Sequence, residues 1–126
     1  MTLEQMGGNG AVLAEELERA EIAGLASRSV ILVEGASDHQ ALSALARRQR
    51  RDLDTEGITI IATAGATNLF RFVELLGPTG HDVPLAGLCD EGEAAEVRAA
   101  LMAAGLGASE PGELETLGFF VCMRDL

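Results

Sequence analysis

The chain contains no Lys, no Trp and no Tyr; its nine cations are all Arg, and four Phe are its only aromatic residues. Without Trp and Tyr it has few of the platforms on which single-strand binders stack bases. What remains for a core is Ala, Leu, Val and Ile, small aliphatic side chains that suit close packing of helices on a sheet. The nine Arg face 20 Asp and Glu, a net charge of −11, so the chain as a whole repels nucleic acid at long range. That argues against a protein that coats DNA by neutralising its phosphates. It leaves room for metal-dependent chemistry, because a divalent ion offsets clustered carboxylates locally. A partner protein or a further domain is the other source of a basic surface.

Cysteine and histidine are scarce too, at two each. Cys89 and Cys122 sit at the ends of apolar runs and read as small buried hydrophobes in a reducing compartment. Only His39 and His81 beside them, and no Cys-x-x-Cys pair, argue against a zinc site. No basic segment leads into an apolar leader, and no run approaches membrane-spanning length, so the predicted location is cytoplasmic with no membrane association. No Gly-x-x-x-x-Gly-Lys loop is present to bind a nucleoside triphosphate.

At 126 residues the chain has material for one domain. Residues 1–10, with three Gly and one Asn, read as a loose start, and Ala11–Ala26 as a helix with Leu13, Leu17, Ala20, Gly24 and Leu25 on one face. Ser29–Val33 is a β-branched apolar run that ends abruptly at Glu34-Gly35. Such a continuous run predicts a strand buried on both faces of a parallel sheet. Ser37 and Gln40 have capping-box spacing, which starts a helix near Asp38 with Ala41, Leu42, Leu45 and Ala46 inward. Arg47, Arg48, Arg50 and Arg51 crowd its end, where cations complement the helix dipole.

The unit then repeats. Ile58–Ala62 is a second strand, Ala64-Gly65-Ala66 a turn, and Thr67 the cap of a helix running to Leu76. Pro84–Cys89 is a third strand ending at Asp90-Glu91, followed by a helix through Val97, Ala100, Leu101 and Ala104 that stops at Gly105. Leu117–Cys122 is a fourth strand. Alternation with short connections predicts an α/β fold: a mainly parallel four-stranded sheet flanked by helices, with an extra N-terminal helix. The predicted division is 1–28 for the N-terminal loop and helix and 29–126 for the α/β domain, one domain overall.

Ligands in such sheets collect at the carboxyl ends of the strands. There the chain delivers Glu34, Asp90 and Glu91, with Glu93 and Asp38 close behind and Asp125 after the fourth strand. Carboxylate oxygens are ligands that Mg²⁺ favours, in company with substrate phosphate, and Mn²⁺ accepts the same donors. The plainer alternative is that these acids cap helices, Asp90 for the third helix above all.

Leu32-Val33-Glu34-Gly35, with Asp38 at short range and an apolar helix behind it, resembles the first motif of TOPRIM domains. That family, Rossmann-like in fold, includes topoisomerases, bacterial primases and the overcoming-lysogenization-defect (OLD) nucleases. The stretch Thr63-Ala64-Gly65-Ala66-Thr67-Asn68-Leu69-Phe70-Arg71-Phe72 is similar to the OLD branch, and the likeness runs from about residue 29 to 126. It implies that Glu34 is a catalytic acid/base or metal ligand, that Gly35 serves the tight turn, and that Asp90 is the principal Mg²⁺ ligand. TOPRIM domains carry Asp-x-Asp at that place, whereas here Gly92 stands where the second Asp belongs. Glu91 or Glu93 is the expected supplement, Arg71 the first phosphate contact, and Arg47, Arg48, Arg50 and Arg51 are either further phosphate contacts or a solvated helix end.

Two functions follow as expectations. One is a Mg²⁺-dependent, nuclease-like nucleotidyl-transferase or hydrolase domain acting on phosphodiesters, with nucleic acid, DNA first, as partner. The other is a catalytically degenerate module of the same fold that dimerises or docks on a partner protein. A receiver-like flavodoxin fold is a weaker third reading, since such domains rely on a Lys. The abrupt end after Asp125 is expected to mark a trimmed or naturally short chain.

Overall fold

In a computed structural model the chain is described over residues 3–65, 68–104 and 119–122, with side chains at 13–65, 68–89 and 91–104. The four predicted strands are β1 (Ser29–Val33), β2 (Ile58–Ala62), β3 (Leu85–Asp90) and β4 (Phe119–Cys122). They form one sheet in the order β2-β1-β3-β4, every neighbouring pair parallel. Parallel neighbours need crossovers, and helices supply them. These are α2 (Ala36–Arg48) with the single turn α3 (Leu53–Glu56), α4 (Leu69–Leu76) and α5 (Ala94–Ala103), while α1 (Leu3–Ala26) precedes the first strand.

The two faces of the sheet are covered unequally. On one, α1 packs on α4 and α4 on α5. Leu13, Ala20 and Ala23 of α1, Leu69, Phe72, Val73 and Leu76 of α4, and Val97, Ala100 and Leu101 of α5 form one core with Val30, Leu32, Ile61 and Cys89 of the strands. Successive strand residues point to opposite faces. Val33 and Ile60 are therefore buried on the other side, outside that core, as is Ala46 of α2. There α2 packs on β2, an edge strand.

Several sequence expectations are corrected here. The N-terminal residues are helical from Leu3, not loose. Each Gly costs roughly 1 kcal/mol in a helix, but extending a helix already nucleated and packed at Leu13–Ala23 is far easier than starting one. Leu25 is 75% exposed rather than inward, while Ala23 is buried in its place. On α2, Ala41 is exposed and Leu45 is 48% exposed. A helix over an edge strand buries only a narrow seam, here Ala46 with half-buried Leu42.

Helix α2 also begins two residues earlier than predicted, capped at Gly35. The Asp38 carboxylate accepts the Gly35 N–H at 3.2 Å, the returning half of a capping box, so Gly35 and Asp38 do what was assigned to Ser37 and Gln40. The one-turn α3 was not foreseen; the Asp52 carboxylate caps it by accepting the Thr55 N–H, and Gly57 closes it at φ +76°. Helix α5 is capped at Glu93, not Asp90, which is the last residue of β3. Helix α4 starts behind Asn68; the proposed cap Thr67, the stop at Gly105, the start of the fourth strand at Leu117 and the trailing Asp125 lie outside the described residues.

Candidate functional site

Three loops meet at the carboxyl edge of the sheet, and hydrogen bonds tie two of them together. The backbone of β1 runs out at Val33, whose carbonyl accepts the Thr63 N–H at 2.8 Å. The Thr63 hydroxyl, 3% exposed, lies 3.2 Å from both the Val33 and the Gly65 carbonyl oxygens and donates to one of them at a time. Gly65 in turn donates its N–H to the Glu34 carbonyl at 3.2 Å. Its φ of +107° is one that L residues rarely adopt, so glycine is required here, and Ala64 before it is left-handed as well, at +62°. The Asn68 side-chain amide closes the loop by donating to the Ala64 carbonyl at 3.0 Å.

Glu34 therefore leaves β1 from a fixed backbone. Strand β1 pairs with β3 up to Leu32 opposite Gly87; continued two residues, that register sets Glu34 level with Cys89 and one short of Asp90. A pocket of about 20 Å³ opens between these strand ends, room for one water-sized guest. Glu34 and Glu93 both line it, over an apolar floor that includes Leu32, Leu69, Cys89 and Val97. Glu34 is exposed and Glu93 half-buried. Two acids from different strand ends thus share one opening, whose other walls are aliphatic apart from Thr63 and Cys89.

The other predicted site residues are placed as follows. Asp90 ends β3 in register with Cys122 of β4 and is described through its backbone. Glu91 stands exposed in the 3₁₀ turn Glu91–Glu93 and does not line the pocket. Asp38 is half-buried and engaged with the Gly35 N–H. Arg71, exposed on α4, lines a different groove together with Leu17, Glu21, Glu74 and His81. Among the described residues no three His, Cys, Asp or Glu side chains gather into a metal-holding group.

Gly35 departs from its expected part. Its φ of −147° and ψ of −177° are extended backbone that any residue adopts, and nothing lies within 4 Å of where a Cβ would sit. The turn that demands glycine is at Gly65. The residue that sequence reasoning passed over is Thr63, the one buried polar side chain among the described residues. Its signal was a Thr directly after the strand and just before Ala-Gly.

A family model, the TOPRIM domain of proteins like the overcoming lysogenization defect protein, matches residues 25–91, just over half of the chain. The chain belongs to that family. The match takes in Glu34, the Thr63-to-Phe72 stretch and Asp90, and stops just before Gly92. The C-terminal region of the Xanthomonas campestris pv. campestris OLD protein is similar in structure, with a TM-score of 0.67 and 30% identity over 79% of this chain. That of the Burkholderia pseudomallei OLD protein gives 0.62 and 26%, again over 79% of the chain. The chain spans 52% and 55% of those regions, about half their length. No curated protein matches it. The architecture is the TOPRIM fold of the OLD branch, and membership supports a nuclease-like role on nucleic acid at the level of the family. Among the described residues no helix is long and apolar enough to cross a membrane.

Proposed function

We propose that this domain works on nucleic-acid phosphodiesters with a divalent cation, Mg²⁺ or Mn²⁺, at the carboxyl edge of its sheet. The observation that carries this is the pocket that Glu34 and Glu93 share, reached from the ends of β1 and β3. The carboxylates of Glu34 and Glu93 are donors suited to a hard cation, with Thr63 and Cys89 lining the same small opening, and the Glu34 backbone is fixed beside it. Asp90 and Glu93 would hold the ion, with Glu91 as supplement and Asp38 behind them. Glu34 is then the general acid/base or a further ligand. A bound cation there supplies charge to a phosphoryl oxygen. Glu34 is exposed, so water or a leaving oxygen can reach its carboxylate.

The alternative, a module that retains the fold without turnover, draws on Gly92, which offers no carboxylate where TOPRIM domains have their second Asp. Thermal unfolding against Mg²⁺ and Mn²⁺ separates the two. A cation at 100 times its Kd stabilises the folded state by about 2.7 kcal/mol. Wild type should gain melting temperature, and Glu34→Ala, Asp90→Ala and Glu93→Ala should lose most of the gain. Gly92→Asp should enlarge it. No response at millimolar metal would leave only the non-catalytic module.

A further inference from the structure

A second concave region lies along the free edge of β2, between that strand and α2. It is an open groove of about 370 Å³. His39, Ser43 and Arg47 line it from α2, Arg19 from α1, and Arg51 from the segment that follows α2. His39, Ser43 and Arg47 are four residues apart in turn, so they form one row along the helix, about 6 Å between neighbours. The row begins one residue after Asp38, beside the acidic edge. Helix α2 returns from the carboxyl to the amino side of a parallel sheet, and its 13 residues carry the row about 20 Å away from Glu34.

The far end of this groove concentrates positive charge in a chain of net charge −11. Arg47 and Arg51 line this end of the groove, and Arg48 and Arg50 stand beside them in the chain, all four exposed. Arg51 is held by Glu56 at 2.6 Å and Arg19 by Glu16 at 3.0 Å, whereas Arg47, Arg48 and Arg50 are in no ion pair among the described residues. Of the two acids in the groove, Asp52 is occupied in capping α3; Asp54 lies beside it. The backbone holds the cluster out. The Arg50 N–H donates to the Arg47 carbonyl and the Arg51 N–H to the Ala46 carbonyl, the paired bonds of a Schellman ending. Its left-handed position, usually Gly, is filled by Arg50 at φ +58°.

We infer that this groove takes the phosphate backbone of one nucleic-acid strand and leads it toward the acidic edge, an inference that rests on the nucleic-acid reading above. Charge complementarity and continuity with Asp38 favour that occupant. A peptide adding to the sheet is disfavoured, because the Ile60 carbonyl on the free edge of β2 already accepts from Arg19 at 3.2 Å. No Phe, Tyr or Trp lines the groove, so bases have little to stack on, and binding should be largely independent of sequence.

The test is fluorescence anisotropy of labelled single-stranded oligonucleotides with the full chain in EDTA, across a salt series. Arg47→Ala is compared with Arg98→Ala, which removes the same charge from α5, outside the groove. Arg50→Gly is added because it relaxes the backbone while removing a cation. The expected result is several-fold weaker binding for Arg47→Ala and Arg50→Gly. For Arg47→Ala the slope of log affinity against log salt should shrink by about 0.7, one phosphate contact on a single strand. Arg98→Ala should bind as wild type does. Equal affinity for the Arg47 and Arg98 variants overturns the groove and leaves the nucleic-acid reading standing. So does wild-type binding that requires Mg²⁺. No binding with or without Mg²⁺ overturns both. Displacement of the oligonucleotide by poly-glutamate at equal charge, from wild type and Arg98→Ala alike, overturns the proposal in favour of an acidic peptide.

Discussion

The two concave regions of this domain are built in opposite ways. The acidic edge is assembled from strand ends, its backbone cross-tied through Thr63 and Gly65, and opens as a pocket of about 20 Å³. The α2 groove is assembled from the outside of a helix and the free edge of a strand, and it is open and polar. Strand ends in a parallel sheet have positions set by every ladder bond behind them. Helix exteriors have no such constraint, and side chains there can change without disturbing the core. The first region should therefore respond to small backbone changes, and the second to charge.

Breaking the edge is expected to give the largest effect. Gly65→Ala meets no neighbour, since nothing lies within 4 Å of the added Cβ, so its whole cost is the φ of +107°. A loss of about 2 kcal/mol in urea unfolding is expected, together with loss of any metal response that Glu34 contributes to. A smaller loss would show that the loop relaxes. Thr63→Val comes next: it keeps the shape but removes the hydroxyl serving the Val33 and Gly65 carbonyls. It should cost about 1.5 kcal/mol, read the same way.

The groove should answer differently. Arg50→Gly places glycine at a left-handed position and should stabilise the fold by up to about 1 kcal/mol while weakening anion binding. A variant that gains stability and loses affinity would sharpen the contrast.

The smallest effect concerns pH. Glu56 is held below its ordinary value by the hydrogen bond and charge of Arg51, and Asp52 by its hydrogen bonds with Thr55. Carboxylates depressed in the folded state contribute stability above their unfolded values and lose it as pH falls through the folded ones. Melting temperature should therefore decline as pH drops below about 5, part of it from this corner. Glu56→Gln should flatten that decline slightly while leaving the metal response unchanged. An unaltered profile would show that the exposed pair contributes nothing, as is common for surface ion pairs.

How far the sequence reached depends on the range of the interactions involved. Glu34 at a strand end was legible because a buried apolar run that stops at an acid is a local pattern. The start of α2 was misplaced because Ser37 and Gln40 offered a cap of correct spacing, while the Gly35–Asp38 pair, equally spaced, formed the bond. Leu45 and Ala41 were assigned inward from periodicity alone; their exposure follows from α2 lying over an edge strand, a property of sheet order that no window along the chain contains. The Arg cluster was legible as a helix end or as phosphate contacts, but that Arg47 and Arg51 line a groove with Arg19 was not.

By itself the amino-acid sequence determined the alternation of strand and helix, the parallel α/β class and the acids at the strand ends, because each depends on hydrophobic period and on residues close in the chain. Tertiary structure alone decided that Glu93 joins Glu34 in one pocket, that Gly65 rather than Gly35 makes the obligatory turn, and that Arg19 and Arg47 face one groove. Those pairings span tens of residues, and strand order and register, not local propensity, bring them together.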